Sequence, residues 1–128
     1  MYRSKEFLAK KSTSTLKQYL NLFLEQNSYV RCKALKNRKI FFTKLPAAII
    51  KRKDLRDRLR SFWVGIDILK KSDHFSHRVI KGNNEYEFEG LSSENKRVFI
   101  HLREEVSRKD KKLFLISTYY KPTPPNFF

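Results

Sequence analysis

Glu85, Glu87 and Glu89 stand at alternate positions, and His101 and Arg103 share the same spacing further along the chain. Ser117, Thr118 and Tyr119 follow near the C-terminal end. Together these residues supply carboxylates, an imidazole, a guanidinium, hydroxyls and a phenol. Metal-free cleavage of RNA needs such a set: a base takes the 2′-hydroxyl proton, a cation stabilises the phosphorane, and an acid protonates the departing 5′-oxygen. Glu87 or His101 is the expected base, Arg103 with nearby lysines the expected phosphate contact, and His77 or Tyr119 the expected acid. Charged residues alternating on a solvated sheet face also form ordinary cross-strand pairs without catalysis. His101 stands out because it lies mid-strand, where packing favours Val or Ile.

Such residues act together only if strands bring them onto one face. Tyr86, Phe88 and Leu91 lie in one β-type run, followed by a connection over Gly90 to Lys96. Val98, Ile100 and Leu102 alternate with Phe99, His101 and Arg103 across Arg97 to Glu104. Side chains alternate across a strand. If Tyr86, Phe88, Val98, Ile100 and Leu102 face a helical layer, then Glu85, Glu87, Glu89, His101 and Arg103 share the other face. The last strand, Lys112 to Tyr120, adds either Ser117 and Tyr119 or Thr118 and Tyr120 to that face, depending on register. Three strands with hairpin-length links, joined by a charged loop at Ser107 to Lys111, predict an antiparallel meander. Pro122, Pro124 and Pro125 end it, because proline cannot continue a ladder.

Two helices are expected ahead of the sheet. Ser12, Thr13, Ser14 and Thr15 suit an N-cap, and Leu16, Tyr19, Leu20, Phe23 and Leu24 form an amphipathic stripe that ends near Asn27-Ser28. Tyr29 to Leu35 and Lys39 to Thr43, about a turn at Lys36-Asn37-Arg38, predict a hairpin. Pro46 opens a second helical region. Within it Leu55, Leu59, Phe62, Ile66 and Leu69 fall on one face, and Gly65 marks a weak or closely packed point. Ser72 to Lys81, carrying His74 and His77, is expected as a short polar connection, and Gly82-Asn83-Asn84 as a turn. Helices followed by strands define an α+β fold, with N-terminal helices packed on an antiparallel meander sheet. A single domain of 128 residues is expected: a helix-plus-hairpin cap over 1–44, a helix-and-sheet body over 45–121, and a proline-rich tail over 122–128.

The charge balance points to the partner. Twenty-nine Lys and Arg against 13 Asp and Glu give a formal charge of +16. Such an excess steers polyanions and supplies phosphate contacts, so RNA (tRNA included) or DNA is the expected partner. Lys51, Arg52, Lys53, Arg56, Arg58 and Arg60 concentrate charge at the start of the second helix, either on phosphates or as a solvated face. Arg78 and Lys81 extend this basic set. Trp63, Tyr119 and Tyr120 are of the type that stacks on bases, or packs in a core. Basic residues spread along the chain argue against a membrane-surface helix. No run is long and apolar enough to span a bilayer, and the N-terminus does not resemble a signal peptide. The single cysteine, Cys32, excludes a disulfide framework, fits a reducing, cytoplasmic compartment and reads as a buried, inert thiol. No cofactor and no metal are expected. Gly-rich phosphate loops, paired-carboxylate clusters and nucleophile elbows are missing from the sequence, which argues against kinase, metallohydrolase and serine hydrolase readings.

From Leu45 onward the layout resembles the barnase–EndoU–colicin–RelE superfamily of small ribonucleases, especially its phage and mobile-element branch. The residues carrying the resemblance are Leu45-Pro46, the basic helix Asp54 to Arg60 leading to Trp63 and Ile68-Leu69, then Tyr86-Glu87-Phe88, Val98-Phe99-Ile100 and Leu115 to Tyr119. The resemblance implies RNA cleavage through a 2′,3′-cyclic phosphate, a toxin or phage-associated role, and an antitoxin or immunity protein as partner. It carries over to His77, His101, Arg103, Ser117 and Thr118. Two other readings use the same features: a non-catalytic RNA- or DNA-binding module, and a protein-interaction factor that inhibits a host enzyme.

Overall fold

Ser12 opens the first helix, α1 (Thr13–Gln26), by accepting a hydrogen bond from the Thr15 N–H at 3.1 Å, which satisfies one of the orphan donors of the first turn. Asn27 closes it: its backbone N–H and its side-chain amide both donate to the Phe23 carbonyl. The computed structural model describes residues 1–5, 11–42, 55–105, 109 and 111–120. Pro46, Lys51, Arg52, Lys53 and the 122–128 tail lie outside the described residues.

The remaining elements are β1 (Tyr29–Cys32), β2 (Arg38–Phe41), α2 (Leu55–Lys71), β3 (Phe75–Ile80), β4 (Asn83–Leu91), β5 (Arg97–Glu104) and β6 (Leu113–Tyr120). They build an α+β fold around one six-stranded sheet of order β1-β2-β6-β5-β4-β3. All pairings are antiparallel except β2 with β6, which is parallel.

Several expectations are corrected. The segment 72–81 is not a polar connection: it forms the edge strand β3, which closes a four-stranded meander instead of a three-stranded one. All six of its residues are exposed, so no alternation marked it as a strand. Its turn falls at Lys81-Gly82, both with positive φ, one position before the expected one, and β4 begins at Asn83. The N-terminal hairpin joins the main sheet through parallel pairing of Ile40 and Phe41 with Leu113 and Phe114. Its first strand also stops at Cys32, because Lys33–Leu35 curl into a 3₁₀ turn before Lys36 and Asn37 reverse the chain with φ of 57° and 60°. Finally, β4 runs through Gly90 to Leu91, where Tyr2, Arg3 and Ser4 continue the sheet edge past the start of β3.

Helix α2 is buried along two sides. Leu59, Phe62, Ile66 and Leu69 keep the expected stripe, and Ser61, Val64, Gly65 and Ile68 add a second. One side meets the sheet and the other meets α1 through Leu16 and Leu20, with Phe23 in ring contact with Phe62 and Trp63. Tyr19 does not join this stripe and is 42% exposed. Gly65 is a point of close packing: a Cβ there would lie 2.9 Å from Thr118 and 3.0 Å from Ile100, both buried. Gly90 brings the sheet as close to Ile68, where a Cβ would lie 2.7 Å from Cγ1.

Candidate functional site

Register and parity lay out the side chains on the sheet face turned away from both helices. Three rows cross it. The first runs Arg78, Glu85, Arg103, Phe114; the second runs Ser76, Glu87, His101, Ser117; the third holds Glu89, Phe99, Tyr119. The expected division of β4 and β5 is the observed one, with Phe88, Val98, Ile100 and Leu102 buried beneath the helices.

Glu85 organises the first two rows. It is 4% exposed, and its carboxylate accepts from His101 Nε2 at 2.5 Å and from Arg103 Nε at 2.7 Å. A buried carboxylate is tolerable only when paired and hydrogen-bonded in this way. A carboxylate only accepts, so the hydrogen of this bond sits on His101 Nε2. Glu87 lies opposite His101 and accepts from the Tyr119 hydroxyl at 3.4 Å. Burial, then the charge of Glu87 and this hydrogen bond, push the Tyr119 phenol above its ordinary value, so it stays a proton donor at neutral pH. Its ring stacks on Phe99 at 5.6 Å and lies under the Arg58 guanidinium. Arg58 reaches it around the β6 edge, where it donates to the Thr118 carbonyl at 2.9 Å.

A bulge after His101 decides which hydroxyl faces the site. Ser117 pairs with His101, whereas Thr118 pairs with Ile100 and is buried against α2, 3.1 Å from Ser61 Oγ. Thr118 is therefore removed from the candidate catalytic set, and so is His77. Parity turns His77 to the helix side of β3, where its ring stacks on Tyr86 at 4.8 Å and Nε2 donates to Asn84 Oδ1 at 2.8 Å. Of the two expected proton donors, Tyr119 is the one on this face. Of the basic candidates, Arg56 is exposed on α2, while Arg60 is held by Glu94 and lies over the Tyr120 ring. Lys81 sits at the exposed turn after β3. Trp63 is half-buried against the core, where its ring packs edge-on against Phe23 and Phe62, each at 5.3 Å.

Sequence reasoning missed the roles of Glu85, Arg58 and Glu104. Glu104 anchors the end of β5 between Arg38 Nη2 at 2.5 Å and Asn84 Nδ2 at 2.8 Å. Burial alone would raise its carboxyl pKa. The hydrogen bonds from Asn84 and Arg38 and the charges of Arg38 and Lys111 outweigh that and hold it below its ordinary 4.5. A lowered folded pKa contributes stability above the unfolded value and loses it as pH falls through the folded one. Glu104→Gln should therefore flatten the acid limb of the stability curve below pH 4.5, read as urea midpoints at neutral and acid pH.

Burial pushes the Cys32 thiol up, consistent with an inert core cysteine. Among the described residues no group of three His, Cys, Asp or Glu is gathered to hold a metal ion, and no helix is long and apolar enough to cross a membrane. An open cleft of about 350 Å³ adjoins the site, lined by Met1, Tyr2, His74, Ser76, Glu87 and Glu89 among others. No curated protein and no solved structure matches the chain. Residues 6–111 match the family model described as CppA N-terminal, and the chain belongs to that family.

Proposed function

We propose that the open sheet face cleaves RNA by transesterification, with His101 as general base. The observation that carries this reading is the Glu85–His101 pair at 2.5 Å, set beside Arg103 and across from Ser117. His101 Nδ1 takes the proton of a 2′-hydroxyl, and the 2′-oxygen attacks the adjacent phosphorus. Glu85 stabilises the imidazolium that forms, as a buried carboxylate does for a histidine base. Arg103 and the exposed Arg78 face the negative charge of the phosphorane. The bond from phosphorus to the 5′-oxygen breaks, that oxygen takes the Tyr119 proton, and a 2′,3′-cyclic phosphate remains. Glu87, which accepts from the Tyr119 hydroxyl, positions the donor. Afterwards the phenolate regains a proton from water and the His101 imidazolium gives one up, which restores both groups.

The formal charge of +16 supports a polyanionic substrate. Purified protein incubated with tRNA in excess EDTA should produce discrete fragments on a denaturing gel. Intact tRNA that is retained on a filter in a salt-sensitive way would instead make this face a binding surface without turnover.

A further inference from the structure

The first row of the open face does not stop at β6. The parallel pairing places Phe41 beside Phe114, and the hairpin register places Tyr29 beside Phe41. Row one therefore spans all six strands: polar over β3, β4 and β5, then aromatic over β6, β2 and β1. The rings touch in sequence, Tyr29 to Phe41 at 5.8 Å and Phe41 to Phe114 at 6.3 Å.

Cations lie over this aromatic half. Lys39 Nζ is 4.6 Å from the Tyr29 ring centre, Arg31 stands over the same ring at 5.6 Å, and Lys112 Nζ lies 5.0 Å from the Phe41 ring. Arg31 and Lys39 are exposed, and Tyr29 and Phe41 are half-buried. Neither β1 (YVRC) nor β2 (RKIF) contains an acidic residue. The contrast with the other half is sharp, where Glu85 pairs with His101 and Arg103, and Glu89 with Arg97. An ordinary solvated sheet face mixes signs across its pairs; Arg31 opposite Lys39 puts two like charges together, which costs stability unless an anion lies between them.

We propose that the β1–β2 half of the open face is a binding track for single-stranded RNA, which feeds the strand to His101. Base faces stack on Tyr29 and Phe41, and the exposed Lys39 reaches from the Tyr29 ring to a phosphate, beside Arg31, which donates to the Asn37 carbonyl at 3.0 Å. A single strand fits where a duplex does not, because stacking on these rings needs unpaired base faces. Charge also decides the occupant against a second copy of the chain: two surfaces of a +16 protein repel, whereas a polyanion is drawn in. From β5 to β1 is three strand spacings, roughly 14 Å, so track and site touch neighbouring nucleotides of one strand. The inference rests on the RNA reading for its ligand, but it concerns binding and not cleavage.

The test uses a fluorescent 2′-O-methyl RNA oligonucleotide of about 12 residues, a length within usual single-strand site sizes, which lacks the 2′-hydroxyl nucleophile and so reports binding alone. Tyr29→Leu keeps the apolar bulk and loses the ring; Lys39→Glu reverses one exposed charge. Each should weaken anisotropy-measured binding by about tenfold at moderate salt. Lys39→Glu should also reduce the salt slope by about 1. The same oligonucleotide annealed to its complement should bind more weakly and respond little to Tyr29→Leu. Wild-type affinity in both variants overturns the track even if RNA is still cleaved. Equal, Tyr29-independent binding of duplex and single strand overturns it too. Weakened binding in the variants sustains the track even if tRNA stays intact, in which case only the cleavage reading fails.

Discussion

Replacing His101 with alanine should lower the rate of RNA cleavage by about 10²–10⁴-fold, the usual contribution of a positioned general base. The side chain is partly exposed on the open face, and Arg103 still pairs the buried Glu85 carboxylate when it is removed, so the loss should appear without loss of fold. Single-turnover cleavage at several pH values reads it, with circular dichroism as the control. Glu85→Gln should have a smaller effect of a different kind. The amide can still accept from Nε2, but it cannot stabilise the imidazolium. The rate should fall with a displaced pH profile, not drop uniformly. An unchanged rate in His101→Ala would transfer the base role to Glu87, the residue facing it across the β4–β5 pair.

The largest effect on stability should come from Phe62→Ala. Phe62 is fully buried and its ring meets Phe23 of α1 at 5.9 Å, Phe42 just past β2 at 6.0 Å, and Trp63 at 5.3 Å. It therefore ties both helices to the hairpin side of the sheet. Truncating a fully buried phenylalanine removes its transfer free energy and leaves a cavity, and costs about 3–5 kcal/mol. Against total stabilities of about 5–15 kcal/mol, that is enough to bring a small domain to the edge of unfolding. Urea unfolding followed by Trp63 fluorescence measures it. A loss under about 1 kcal/mol would mean that the aromatic cluster closes over the gap, and that α1 is not held through this ring.

How much of this was legible depends on the period of each segment. The alternation in Glu85 to Phe88 and in Val98 to Arg103 is strict, so the division into buried and open faces followed from strand geometry alone. The same holds for the α2 stripe from Leu55 to Leu69. Strand β3 was illegible because an edge strand beyond the helical layer has no face to bury, and Phe75 to Ile80 are all exposed. The choice between Ser117 and Thr118 was illegible for another reason. It turns on a bulge after His101, and a one-residue slip flips every side chain to the other face. His77 reads as a loop residue in the sequence because nothing in Phe75 to Ile80 marks its strand. The parallel β2–β6 pair joins residues over seventy positions apart, and no local pattern encodes that contact. The basic-aromatic half of the sheet, Tyr29 to Phe41, follows from that one pairing. Arg58 and Glu85 stand out in the sequence by charge and parity, but their partners come only from the fold.

The most direct test of the account uses a DNA oligonucleotide carrying one ribonucleotide, incubated with the protein in excess EDTA. Cleavage should occur only on the 3′ side of that ribonucleotide and leave a 2′,3′-cyclic phosphate, because its hydroxyl is the sole nucleophile that His101 can activate. Cuts at deoxynucleotide positions, or an oligonucleotide that is bound and never cut, would contradict the assignment of the open sheet face as a site of RNA transesterification.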